Sequence, residues 1–503
     1  MNLPRLLFSI TATIFLMGPL LAQNNLLTGP IVKTGKSEIS SFFGSTNGNF
    51  FFAGNQDDKK DFTIYQFDDN LKLTKEKLFE TEYRFIVYGL FGDTYDGIIF
   101  PSISTDNKLN FIRRNYKAKA FSGLTTYLNE VINIDGLMLE SNSTQISEQS
   151  VVTQITAFSR RESGTLRTAE SPDGQKRVII TAGKNYSGDN VSFQVISLDM
   201  ANAVNWTSEI VPNQSGSYYS ITEIAIDNSG GVYVLSALTP DKNTLDAYEL
   251  RKYESDGSLS NKIEFTPNGY IFSAPFLFTR GDNTLVLTGF SSKSRTNDID
   301  GVSFFKFDGN LQEIVKKTHP FPAYFSEKSK SIKNGVLDQI GRVECISTPN
   351  GSYAMAVDFG QIFISDGSGR NEDLFSIQLD AEGNISKSGL LIKEQAGGST
   401  SLQFGSFRLL SHENEVFVFY QDNPKNADLA PDQKGKKTYM NSYSSMFKIK
   451  LTDTGFGQKE LVYNSKKDKL RTPMHKIFKL SNGNILFCEE AKNVNRLRIF
   501  SFE

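Results

Sequence analysis

Ile224-Ala225-Ile226, a turn at Gly230-Gly231, Val232-Tyr233-Val234, then Tyr248-Glu249-Leu250-Arg251-Lys252-Tyr253 ahead of Asp256-Gly257: this stretch decides the fold. Short β-favouring runs are divided by Gly, Asp and Asn, which tolerate positive φ and punctuate hairpins. The cassette recurs eight times. Other copies run from Asn47-Gly48-Asn49 into Phe50-Phe51-Phe52, from Asp96-Gly97 into Ile98-Ile99-Phe100, and from Asp173-Gly174 into Val178-Ile179-Ile180. They continue from Asp282-Asn283 into Leu285-Val286-Leu287, from Asn350-Gly351 into Tyr353-Ala354-Met355, from Glu413-Asn414 into Val416-Phe417-Val418, and from Asn482-Gly483-Asn484 into Ile485-Leu486-Phe487.

Each apolar run is followed by a second that mostly alternates with period two, such as Phe193 to Leu198 or Met446 to Leu451. That pattern predicts one packed face and one more polar face. Most copies add a strand before the turn and another after the second run. Four antiparallel strands about every 50–70 residues form the unit of a β-propeller. The prediction is an all-β propeller over residues 23–503, with eight four-stranded antiparallel blades and seven as the alternative count. Cassette eight stops at Phe502-Glu503, short of a fourth strand. Asn25 to Thr34 is predicted to supply that strand and close the ring, the alternative being a free tail.

Composition narrows the classes. Forty Phe and 19 Tyr stand against one Trp, and the formal charge is −2 with Lys and Arg dispersed. Nucleic acid, which calls for a basic stripe, is excluded as a partner. The densest basic run is Lys434-Gly435-Lys436-Lys437. Residues 1–22 have the layout of a secretory signal: Arg5, an apolar run from Leu6 to Met17, then Gly18-Pro19 and Ala22, after which cleavage is expected. The run is shorter than the roughly 20 apolar residues a span needs. No transmembrane anchor is expected after cleavage, and the predicted destination is the periplasm, cell surface or medium. Cys345 and Cys488 lie in apolar strand patterns of different cassettes and are expected to be buried free thiols.

Insertions at 134–167, 318–340, 358–372 and 421–441 fall between second and third strands or between blades, connections that share one face of a meandering disc. Such a face often binds. A short helix is expected within 326–340. The candidate binding residues are Asp422, Asn423, Lys425, Asn426, Tyr439 and Tyr324, with Tyr218 and Tyr219 as further loop aromatics. The insertion 421–441 is predicted to be ordered at its ends and mobile at its lysine tip, with deletion of 428–437 nearly neutral for folding.

No catalytic residue, metal or cofactor is predicted. His319, His412 and His475 lie in different cassettes without ligand partners at useful spacing. Asp298-Ile299-Asp300-Gly301 is half a calcium loop, but its twelfth position, Phe307, is not Glu. A Gly-x-Ser-x-Gly elbow is missing. Quinone-dependent dehydrogenases and sialidases repeat a Trp with their blades; here Leu198 to Trp206 is one faint copy, without the Gly.

The run from Ser171-Pro172-Asp173-Gly174, Asn297 to Asp308, Asp422-Asn423-Pro424-Lys425-Asn426 and the stretch Ile485 to Phe502 resemble an uncharacterised family of exported, propeller-like repeat proteins of Bacteroidetes-type bacteria. The resemblance implies compartment and lineage; it brings no catalytic residues. The leading expectation is a monomeric, non-enzymatic scaffold binding an envelope protein or glycan. The alternative is a glycan-binding or glycan-active propeller using its central funnel.

Overall fold

The computed structural model describes residues 25–79 and 167–502, short connecting segments excepted, together with strands Ser102–Ile103, Lys108–Asn115, Thr126–Asn133 and Met138–Gln145. The described strands form eight sheets. The fourth shows the plan: Tyr219–Ile226, Val232–Leu238, Ala247–Tyr253 and Leu259–Phe265, each antiparallel to the next. The strands of each sheet are called A to D in that order. A strands of successive sheets touch from the third sheet to the seventh; the 3-10 turn just before the eighth A strand touches the seventh and first, and the first touches the second. They therefore circle one axis, and the protein is an eight-bladed β-propeller.

The ring closes with the N-terminal segment. Leu26–Thr28 and Val32–Lys33 pair antiparallel with Val494–Phe500, supplying the outer strand of the eighth blade. Asn495 Nδ2 donates to Thr34 Oγ1 at 2.6 Å, and an Arg498 N–H donates to Thr28 Oγ1 at 2.7 Å.

The core lies between blades. In strand Val232–Leu238, the side chains of Val232, Val234 and Leu238 join a cluster shared with blade three. Tyr233, Leu235 and Ala237 join one shared with blade five. All seven residues of this strand are buried, because each blade has a neighbour on both faces. In the next strand the predicted alternation is present, with Tyr248 and Leu250 in the shared apolar cluster. The polar alternates, such as Glu249 and Arg251, are buried as well and bond each other.

Turn chemistry explains why the repeats fold locally. Asp227, Asp282, Asn350 and Asn482 each accept the backbone N–H two residues on in an A–B turn. Asp68, Asp256, Asp308 and Asp380 do the same in C–D turns. These Asx turns set hairpin register without tertiary help.

Trp206 finds its glycine in the next blade. It stacks on Tyr253 at 6.2 Å, and a Cβ on Gly257 would lie 2.8 Å from its ring. Gly257 has φ +85°, a backbone that costs a side chain about 1–2 kcal/mol. Gly257→Ala is expected to destabilise the protein by at least about 1–2 kcal/mol. A urea unfolding midpoint unchanged from wild type would show that the turn relaxes freely.

Two expectations are corrected. The short helix expected within 326–340 is Ala323–Lys328, beginning before 326, with turns and isolated bridges beyond it. In blade two, Lys108–Asn115 pairs with Ser102–Ile103 and Thr126–Asn133 and is strand B, where the sequence suggested C. Met138–Gln145, inside the presumed insertion 134–167, is strand D. Residues 98–100 and the signal-like segment 1–22 lie outside the described residues.

Candidate functional site

The insertions 318–340, 358–372 and 421–441 are D-to-A or B-to-C connections and share one face. Here blade six rises into a long hairpin, Tyr353–Phe363 with Ser368–Leu379. Gln395–Gly398 pairs with its stem, and Thr438–Tyr439 of the blade-seven insertion pairs with Gln395–Ala396.

Five of the six predicted site residues meet in that insertion, but they face different ways. Asp422 is buried and accepts from Asn423 N at 2.7 Å, Thr438 Oγ1 at 2.8 Å and Asn426 Nδ2 at 2.9 Å. Burial raises its carboxyl pKa, against the pull of Thr438 and of the Lys459 ammonium 3.9 Å away. Burial likewise lowers the pKa of Lys459. Asn426, also buried, spans the loop by bonding both the N–H and C=O of Lys436. Asn423 caps a 3-10 turn over Pro424–Asn426. Lys425 and Tyr439 are exposed, and the Lys437 ammonium lies 5.7 Å from the Tyr439 ring centroid. Tyr324 stands apart on the short helix, half-buried, donating to Ser388 Oγ at 3.2 Å. Tyr219 is buried against Glu249; Tyr218 lies outside the described residues.

The lysine tip is pinned. Lys437 and Lys434 reach Glu394 at 3.2 and 3.5 Å, Asp432 pairs with Lys328, and the Pro431 carbonyl accepts Ile392 N–H at 2.8 Å. Residues 428–437 thus strap blade seven to blade six and the short helix, so their deletion is expected to destabilise the fold. The partners come from distant segments, which tip composition does not reveal.

A second constellation, overlooked in the sequence, lies on the axis at the same face. The A strand of blade six is irregular between Ile340 and Val343, and that of blade four bulges between Ile221 and Glu223. Bulges re-aim side chains. Arg342 Nε donates to Glu344 Oε1 at 2.6 Å, and an Arg408 N–H from blade seven reaches the same oxygen at 2.9 Å. Leu409 N takes Oε2 at 2.6 Å. Glu344 is thereby saturated. His475, entering blade eight, is held down at about 4 by burial and by the Lys476, Arg342 and Arg408 cations. The 3-10 turn that carries it, Met474–Lys476, touches the blade-seven A strand that bears Arg408, so these groups lie at the entries to the A strands of blades six to eight, here called the channel mouth.

On the A strand of blade four, next to its bulge, half-buried Glu223 is raised to about 7 by loss of hydration, opposed by the Arg167 guanidinium of blade three. Burial, and secondarily Glu223, raises the Cys345 thiol of blade six. Both cysteines are free, as expected, but Cys345 is only part-buried. Because the folded-state pKa of Glu223 is raised, its stabilising contribution is complete below about pH 4.5 and is lost as pH rises through 7. Glu223→Gln is therefore expected to be more stable than wild type by about 2–3 kcal/mol at pH 8 and equal at pH 4.5. Denaturant unfolding at the two pH values checks this; equal stability at pH 8 would mean that water reaches the Glu223 carboxyl.

No protein-family model matches the chain, and no curated sequence does. Solved structures do. The β-propeller domain of the Trilobed protease from Pyrococcus furiosus is 12% identical, covering 86% of this chain and 97% of that one at TM-score 0.37. A Synechocystis apocarotenoid oxygenase is 9% identical, covering 86% and 96% at 0.38. The GH93 α-L-arabinofuranosidase of Fusarium graminearum is 10% identical, covering 67% and 93% at 0.33. Likeness at this level assigns no site and no activity.

Proposed function

We propose that the protein is an exported, non-enzymatic propeller acting as a protein-interaction or ligand-binding scaffold in the cell envelope, with the insertion face and channel mouth as its binding surface. One observation carries the reading: Arg342 and Arg408, from neighbouring blades, share Glu344 at the channel mouth on the face that bears the insertions, and the turn that carries His475 packs against the same blade-seven strand. The signal-like N-terminus supports export, and among the described residues no helix is long and apolar enough to cross a membrane. Reversible cross-linking of cells carrying wild type or Arg408→Glu tests it. The expected result is an envelope-fraction protein whose cross-linked species disappear in the variant. Cytoplasmic retention of the full-length chain, or cross-links indifferent to the charge reversal, would sink the proposal.

A second reading is a glycan-binding or glycan-active propeller using the funnel, and Glu223 favours it. A carboxyl near pH 7 is matched to general-acid work. Reducing-sugar release abolished by Glu223→Gln would move the assignment to an enzyme; no release from plant or bacterial polysaccharides would leave the scaffold.

A further inference from the structure

Each blade ends in an outer strand that lacks a neighbour on one side, and such a strand offers free N–H and C=O groups to any extended chain. Most of these edges are guarded. Blade one carries Lys75 and Lys77 there, blade four Lys262, blade five Lys316 and Lys317, and blade six Lys387. The outer strand of blade two breaks register between Glu140 and Thr144, and that of blade seven is five residues long and irregular. Blade eight splits its outer strand around Pro30. Lysine, irregular pairing and proline each discourage a further strand.

Blade three has none of these guards. Its outer strand, Val204–Ile210, reads Val-Asn-Trp-Thr-Ser-Glu-Ile and pairs in unbroken register from Trp206 to Ile210. It is the last strand of its sheet. Trp206 and Ile210 are buried in the cluster shared with blade four, which holds the strand in place. Val204, Asn205, Thr207 and Glu209 are exposed, and Val211 just beyond is 58% exposed. Glu209 is the strand's one charge, and among the described residues it has no ion-pair partner. Thr207, Glu209 and Val211 share one side of the strand, because side chains alternate. An added strand would set apolar or β-branched side chains beside Thr207 and Val211, and a cation between them beside Glu209.

We propose that the outer edge of blade three accepts an extended segment of a partner protein as a fifth strand, with a basic side chain beside Glu209. Backbone bonds supply the attachment in such pairing and alternate side chains the specificity. The edge lies on the rim, away from the channel mouth, so binding at the two places is lost in different variants.

The probe is the capped heptapeptide Thr-Val-Thr-Lys-Thr-Val-Thr, which reads the same in both directions and sets its lysine beside Glu209 in either orientation. Anisotropy of the labelled peptide with the full chain, at pH 7 and low salt, measures affinity, and amide hydrogen exchange locates it. Exchange over residues 204–211 is expected to slow by about tenfold or more with peptide bound. A copy with Glu in place of Lys is expected to bind about fivefold weaker or less tightly still, since like charges then face each other. Glu209→Lys is expected to reverse that preference with an unchanged melting temperature, because Glu209 is exposed and unpaired. No slowing at 204–211, or a preference for the lysine peptide that survives Glu209→Lys, would overturn the proposal. A dimer of the peptide-free chain in sedimentation velocity that Thr207→Lys dissolves would overturn it too, giving the edge to a second copy.

Discussion

Lys393→Met is expected to cost about 3–5 kcal/mol of folding stability. Lys393 Nζ lies 3.0 Å from Asp358 Oδ2, and both side chains are wholly inaccessible to water. Removing the ammonium leaves a carboxylate in a medium that cannot solvate it, which is the expensive way to break a buried pair. The wider network does not compensate. Gln395 Oε1, the other acceptor of Lys393 at 3.0 Å, keeps only Ser406 N at 2.7 Å, and Asp358 Oδ1 keeps only Arg342 N at 2.8 Å. Asp358→Asn combined with Lys393→Met is expected to regain more than half the loss, because it removes the charge while retaining an acceptor for Arg342 N. Guanidinium unfolding of wild type, single and double variants measures this, with equal m-values required for the comparison. A single-variant loss under about 1 kcal/mol would mean that water reaches Asp358. The same bond to Arg342 N holds the irregular entry of blade six, so the single variant should also loosen the channel mouth.

The parts of the fold legible in the sequence are those set by local chemistry. Asx turns at Asp227, Asp256 and Asn350 announce their hairpins because each closes within a few residues. The closing strand could be anticipated because cassette eight ended one strand short. Met138–Gln145 escaped because Met-Leu-Glu-Ser-Asn-Ser-Thr-Gln is polar and lacks the aromatic alternation of the other blades. The insertion face was legible from loop lengths, whereas the direction of its side chains was not. Asp422 and Asn426 look like surface polar residues, yet they hold the loop together from within. The channel mouth was illegible for another reason. Arg408 meets Glu344 from 64 residues away, and the local hint was the pair Arg342 and Glu344 on either side of Val343 in a strand pattern.

Removing residues 1–34 is expected to be the most damaging change, at no less than about 5–7 kcal/mol. Besides the ladder bonds of the two paired strands, three further backbone bonds vanish: Gly29 N to Leu497 O, Thr34 N to Asn493 O, and Ser501 N to Asn25 O. Each contributes about 1 kcal/mol, the Asn495–Thr34 bond adds about as much, and the charge-assisted Arg498–Thr28 bond contributes about 1.5–3 kcal/mol. The loss is compounded inside the blade, because Arg498 and Arg496 both also hold the fully buried Glu489. Freed of its partner strand, Val494–Phe500 becomes an open edge, and such edges recruit other chains. The truncated protein should therefore unfold at lower denaturant and associate with rising concentration. Gly29→Val offers a milder version: its Cβ would come within 2.6 Å of Leu71 Cβ in blade one, forcing the strand off the seam without shortening the chain. Denaturant unfolding and sedimentation velocity of both variants decide the matter. If the truncated chain stays monomeric with wild-type stability, the seam contributes nothing and the ring is held by packing between its blades alone.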